Sequence, residues 1–141
     1  MGTILCATRG GKESLHAQDA AIALAKEQGK RLIFTYIVDT QFLDRTARAV
    51  RPDVVAQEIA HMGEFLLTMA QERAQKAGIY ADIRVCQGNF CPELKEVVRQ
   101  EHVDILILGR PSGDDSAFKL AALEALADEI REDTGIEVRL V

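Results

Sequence analysis

Apolar residues in this chain take two arrangements: short unbroken runs, and longer stretches where they return every three or four positions. The first run, Thr3-Ile4-Leu5-Cys6-Ala7, stops at Arg9-Gly10-Gly11 and predicts a buried strand followed by a tight turn. Ala17, Ala20, Ala21 and Leu24 then fall on one helical stripe, with Leu15 and Ile22 beside it, and Gly29 is placed to end that helix. Leu32 to Val38 is continuously β-prone and predicts a second buried strand. Residues 39–52 are polar and carry Arg45, Arg48 and Arg51, a spacing that fits a basic stripe but is ordinarily just a solvated face.

Pro52 can open a long helix whose expected apolar stripe is Val55, Ile59, Met62, Leu66, Met69 and Ala70, closed by Gly78. Tyr80 to Val85 predicts a third strand, ended by Gly88. Pro92 is expected to start a further helix with Leu94, Val97 and Val98 on its inner face. Val103 to Leu108 is the most apolar strand. A last helix carries Leu123, Leu126, Ala127 and Ile130, and Gly135 precedes a final strand from Ile136 to Val141. Strict strand–helix alternation over residues 1–141 predicts one α/β domain with a five-stranded open parallel sheet, helices on both faces and right-handed crossovers. Ligands in such sheets bind beyond the carboxyl ends of strands where the strand order reverses. The loops available for that are 8–14, 39–52, 87–91 and 109–117.

Composition narrows the function more than the fold. With no Trp and few aromatics, the core must be built from Val, Ile, Leu and Ala. A net charge of −5 gives no broad attraction for nucleic acid or anionic lipid. No apolar run approaches a membrane span, and no cleavable leader is expected. The three cysteines, Cys6, Cys86 and Cys91, are an odd number, which argues against a disulfide framework and for a reducing cytoplasm.

Taken in order, these segments resemble the universal stress protein family along essentially the whole chain. The family's first strand and turn are matched by Ala7-Thr8-Arg9-Gly10-Gly11-Lys12-Glu13-Ser14, and the end of its second strand by Val38-Asp39. Gly88 with Pro92-Glu93 matches the turn after the third strand. Val103-Asp104-Ile105-Leu106-Ile107-Leu108-Gly109 matches the fourth strand. The resemblance implies strand order 3-2-1-4-5, the Rossmann-like arrangement of the adenine nucleotide alpha hydrolases. Loops 8–14 and 109–117 would then face one another across the crevice between strands 1 and 4.

ATP-binding members of the family carry Gly, two residues, Gly, nine residues, Gly and then Ser or Thr, whose open backbone N–H groups wrap the phosphates. Here the stretch is Gly109-Arg110-Pro111-Ser112-Gly113, with Ser112 in the second glycine's place and Ala122 and Leu123 where the closing pair belongs. Pro111 removes a further donor, and the first-loop Asp is Arg9. The residues left for a nucleotide or other anion are Thr8, Arg9, Gly10, Gly11, Ser14, Val38, Asp39, Gly109, Arg110, Ser112 and Gly113. Arg9 and Arg110 together could grip a phosphate or carboxylate, or could pair with Asp114 and Asp115 and close the site.

Other chemistry is less well supported. Residues 9–14 also resemble the pyrophosphate loop of ATP pyrophosphatases, in which Lys12 would act, although a plain glycine turn is the simpler explanation. Cys91 falls where a helix N-cap would be, so a lowered thiol pKa and redox sensitivity are one expectation and a small turn residue the other. His16, His61 and His102 have no metal-ligand spacing. No metal, no required cofactor (ATP or AMP at most), no nucleic acid and no membrane insertion are expected. The expected function is a non-enzymatic, cytoplasmic stress-response or regulatory protein acting by protein association. The rival is an adenine-nucleotide or anion sensor. In the family, dimers commonly join through the last strand, which would offer Ile136, Val138 and Leu140.

Overall fold

The computed structural model describes residues 2–8, 12–39, 52–110 and 116–141. Among these residues five strands alternate with four helices: β1 Thr3–Ala7, α1 Lys12–Gln28, β2 Arg31–Asp39, α2 Pro52–Lys76, β3 Ala81–Gly88, α3 Phe90–Gln100, β4 Ile105–Leu108, α4 Ser116–Thr134 and β5 Glu137–Leu140. All neighbouring strands are parallel, in the order β3-β2-β1-β4-β5. The chain therefore reverses direction across the sheet between β1 and β4, as the resemblance implied.

Both faces of the sheet are covered, because successive side chains on a strand point to opposite sides. Ile4, Cys6, Leu32, Phe34, Ile105 and Ile107 meet α1 and α2 on one face. Leu5, Ile33, Leu106, Leu108 and Val138 meet α3 and α4 on the other. On the first face the strands supply the bulk and the helices supply mainly alanines, including Ala17, Ala21, Ala25, Ala70 and Ala74. On the second face both layers are large, with Leu94, Val97, Val98, Leu123 and Ile130 coming from the helices.

Several expected boundaries shift. The stripe of α2 that is buried runs through Gly63, Leu67, Ala70 and Ala74, whereas Met62 and Met69 are exposed and Leu66 is half-buried. Small residues win this face because α2 lies close to the sheet: a Cβ on Gly63 would come within 2.6 Å of the Tyr36 ring. Strand β3 starts at Ala81 rather than Tyr80 and continues past Val85 to Gly88, since pairing with the nine-residue β2 extends as far as Asp39. Helix α3 starts at Phe90, with Asn89 as its N-cap, so Pro92 sits inside the first turn, where its missing N–H has no partner to lose. Leu15, expected beside the α1 stripe, is exposed.

Candidate functional site

The crevice lies at the carboxyl ends of β1 and β4. Ala7 and Leu108 are register partners there, so Thr8 and Gly109 leave the sheet side by side. Thr8 stays bound to the sheet through its N–H on the Thr35 carbonyl, at 2.9 Å, and its side chain is buried. Gln18, also buried, donates from Nε2 to Thr8 Oγ1 at 3.0 Å. Arg73 reaches over from α2, donating to Gln18 Oε1 at 2.8 Å and pairing with Asp19. The floor of the crevice on the β1 side is thus tied sideways into the seam between α1 and α2. Sequence reasoning missed Gln18 and Arg73. The available signal was a glutamine standing within the alanine stripe of α1, since a buried amide requires partners.

The other expected site residues divide into two groups. Ser14 is buried in the first turn of α1, and Val38 is buried at the end of β2, which Asp39 closes. Arg9, Gly10, Gly11, Ser112 and Gly113 lie outside the described residues, as do Arg45, Arg48, Arg51, Asp114 and Asp115. Arg110 is described, and it turns toward β5. Its N–H donates to the Val141 carbonyl at 2.8 Å. Its side chain lines an open cleft of about 330 Å³ with Glu124, Asp128, Arg131 and Leu140. Arg131 pairs with Asp128 at 2.8 Å in that cleft, so the charges there are mixed rather than selective for an anion.

Helix α4 explains the loss of the closing glycine pair. It begins at Ser116, which places Ala122 and Leu123 beyond its first turn, where backbone N–H groups are bonded within the helix. Leu123 is moreover buried in the core. Neither position can present a free donor to a phosphate.

Cys91 lies in the first turn of α3, not at its N-cap. Burial pushes its thiol up to about 11, and the Glu129 carboxylate, 2.9 Å from Sγ, pushes in the same direction. The helix N-terminus does not overcome these effects, so an activated thiolate is not what the structure provides. Burial holds the Cys6 thiol at about 12. Among the described residues no three His, Cys, Asp or Glu side chains cluster as metal ligands, and no helix is long and apolar enough to cross a membrane.

The residues expected at the dimer interface lie on β5 and just before it. Val138 is buried, and Ile136 and Leu140 pack against the same core cluster under α3 and α4. Alternation turns them inward and leaves Glu137 and Arg139 exposed.

An open parallel sheet in the order β3-β2-β1-β4-β5, with its switch point between β1 and β4, defines a doubly wound α/β fold. A model of the universal stress protein family matches residues 1–120, and the chain belongs to that family. It is similar in structure to a universal stress family protein from Burkholderia pseudomallei, with TM-score 0.76, 21% identity and coverage of 99% of this chain and 95% of that one. For the universal stress protein UspA from Lactobacillus plantarum the TM-score is 0.79, with 14% identity and 99% and 97% coverage. A universal stress protein in complex with cAMP matches with TM-score 0.69, 20% identity and 99% and 96% coverage. Comparison with curated protein sequences returns no match.

Proposed function

We propose that this universal stress protein works without catalysing a reaction, through association with protein, as a homodimer in the cytoplasm, and that its crevice no longer serves ATP. The observation that carries this is the register of α4. By starting at Ser116 it draws the two positions of the family's closing phosphate pair into helix interior and core. Two further features support it: Arg110 bonds the Val141 carbonyl through its N–H and lines a cleft of mixed charge beside α4, and Gln18 already engages the Thr8 hydroxyl. Three free cysteines fit a reducing compartment.

Calorimetric titration with ATP, ADP, AMP and cAMP is expected to show no saturable binding in the micromolar range. Micromolar binding that disappears in Arg110→Ala would instead establish the second reading, an adenine-nucleotide or anion sensor built on Thr8, Arg9, Gly10, Gly11, Ser14, Arg110, Ser112 and Gly113. What favours that second reading is that a structurally similar universal stress protein holds cAMP.

A further inference from the structure

Helix α2 carries large apolar side chains on a side that the sheet does not use. Its sheet-facing side is built from Gly63, Leu67, Ala70 and Ala74, all buried. Gly63 passes so close to β2 that a Cβ there would come within 2.6 Å of the Tyr36 ring. Met62, Phe65 and Met69 recur at i, i+3 and i+7, which is one face of a helix, and they are 60%, 64% and 48% exposed.

The stripe continues onto α1. Both helices return from the mouth of the sheet to its foot, so they run side by side in the same direction. Arg73 meets Gln18 and Asp19 across the seam. One turn nearer the mouth, Met69 therefore stands level with Leu15, which is 46% exposed. Single apolar side chains on a surface are ordinary, but a group of them spanning two helices marks a contact surface. The charges around the group are of one sign. Glu58 and Glu72 stand at the two ends of the stripe, one turn before Met62 and one turn after Met69, and Glu64 lies on the flank away from α1. All three are exposed and, among the described residues, none is in an ion pair. Arg73, which borders the stripe, is already paired with Asp19, and Lys76 lies a further turn along, beyond Glu72.

We propose that this face docks a basic amphipathic helix of another protein, its apolar residues on Phe65 and the two methionines and its lysines or arginines against Glu58, Glu64 and Glu72. The proposal rests on the reading that the protein works by association, and it names the surface and the chemistry of the partner. An amphipathic helix presents anchors at the same three- and four-residue spacing as the stripe. Phe65 supplies a rigid anchor, and the unbranched methionines adapt to its neighbours. The carboxylates select against two other occupants. They repel an anionic bilayer, and a second copy of this chain would bring the same glutamates, and a net charge of −5, against themselves.

The test is fluorescence anisotropy with a labelled Leu/Lys helical peptide roughly five turns long, a scrambled peptide of the same composition, and a Leu/Glu counterpart. The wild type is expected to bind the Leu/Lys helix in the micromolar range and neither control at that strength. Phe65→Ser with Met69→Ser is expected to weaken binding roughly tenfold or more and to leave thermal stability close to that of the wild type, because the fold makes little use of those side chains. Glu58→Lys with Glu72→Lys is expected to weaken binding by a similar factor. Tyr80→Ser, 79% exposed but away from the stripe, is expected to change nothing. If the serine variant fails to fold, the lysine variant decides, since its two positions are exposed and unpaired. Peptide binding indifferent to both double variants, or equally tight for the scrambled peptide, would overturn this face and leave association standing. Self-association of the wild type abolished by the serine variant would assign the face to a second copy and overturn the basic partner. A wild type that binds no peptide would overturn the proposal outright. Micromolar ATP binding in calorimetry, with the peptide results as expected, would instead overturn the reading of the crevice and leave the face in place.

Discussion

The two ends of the sheet are held by different chemistry. At the foot, where the strands begin, Asp104 joins three strands: its Oδ1 accepts the Thr3 N–H at 2.7 Å, its own N–H donates to the Thr3 carbonyl at 3.0 Å, and its carbonyl accepts from Glu137 at 3.1 Å. Lys30, at the entry to β2, pairs with the same carboxylate. Arg31 then bonds both Asp82 and Glu101, and Arg84 bonds Glu101. At the mouth, the carboxyl end of β1 is tied outward into helices, Thr8 through Gln18 to Arg73, while beyond β4 Arg110 lines the cleft beside α4. One end clamps strands to one another. The other keeps the backbone pairing of Thr8 with Thr35 and of Arg110 with Val141, and adds a side-chain brace from Thr8 into α1 and α2. In this chain the braces are its own side chains.

Four substitutions can break or sharpen that contrast. Gln18→Ala at the mouth is expected to cost the most, about 2–3 kcal/mol in chemical denaturation, since it removes a buried side chain and its bonds to Thr8 and Arg73 together. A cost no greater than that of an exposed residue would show that the mouth is not braced through Gln18. Gly88→Ala, where β3 ends at the mouth, is expected to cost about 1–3 kcal/mol: φ there is 150° and a Cβ would lie 2.6 Å from Glu93. At the foot, Asp104→Asn is expected to cost only about 1 kcal/mol, because the Asp104 side chain is 42% exposed and its charge is screened. The smallest effect belongs to Arg110→Ala, expected within about 0.5 kcal/mol of the wild type.

The foot also carries a pH signature. Burial alone would raise the Asp104 pKa, but the Lys30 ammonium and the Thr3 N–H outweigh it and hold the carboxyl below its ordinary value of 3.8. A group depressed in the folded state contributes stability that is fully present above its unfolded pKa and lost as pH falls through the folded one. The stability gap between the wild type and Asp104→Asn is therefore expected to be constant near neutrality and to close below about pH 4. A gap unchanged at low pH would remove Asp104 from the clamp. At alkaline pH the relevant group is Cys91, whose thiol titrates at about 11. Alkylation of Cys91 at neutral pH is expected to be slower than that of a free thiol, and Glu129→Gln is expected to speed it.

Much of this was legible in the sequence, and the exceptions have identifiable causes. Apolar runs and, for Tyr80–Val85, alternation located the strands, and the α3 stripe of Leu94, Val97 and Val98 is buried as its spacing predicted. Helix α2 was misjudged because periodicity favours large side chains, whereas the face that packs closest to the sheet needed Gly63, Ala70 and Ala74. Cys91 was misplaced because Pro92 suggests a first helical position, yet the first turn accepts a proline anywhere its N–H would have been free. Asp104 was noticed only as part of a family pattern. Its work, clamping three strands, depends on partners as distant in sequence as Thr3 and Glu137.

The sequence by itself determined the five-fold alternation, the universal stress resemblance and the absence of the usual glycines, because these are properties of neighbours along the chain. Tertiary structure alone decided that the Arg110 N–H meets the Val141 carbonyl, that Gln18 meets Thr8 and Arg73, and that Arg131 reaches the Val138 carbonyl on β5. Each of those depends on which elements the sheet places side by side. A parallel sheet pairs strands far apart in sequence, so the contacts at its mouth and edges are set by packing rather than by spacing.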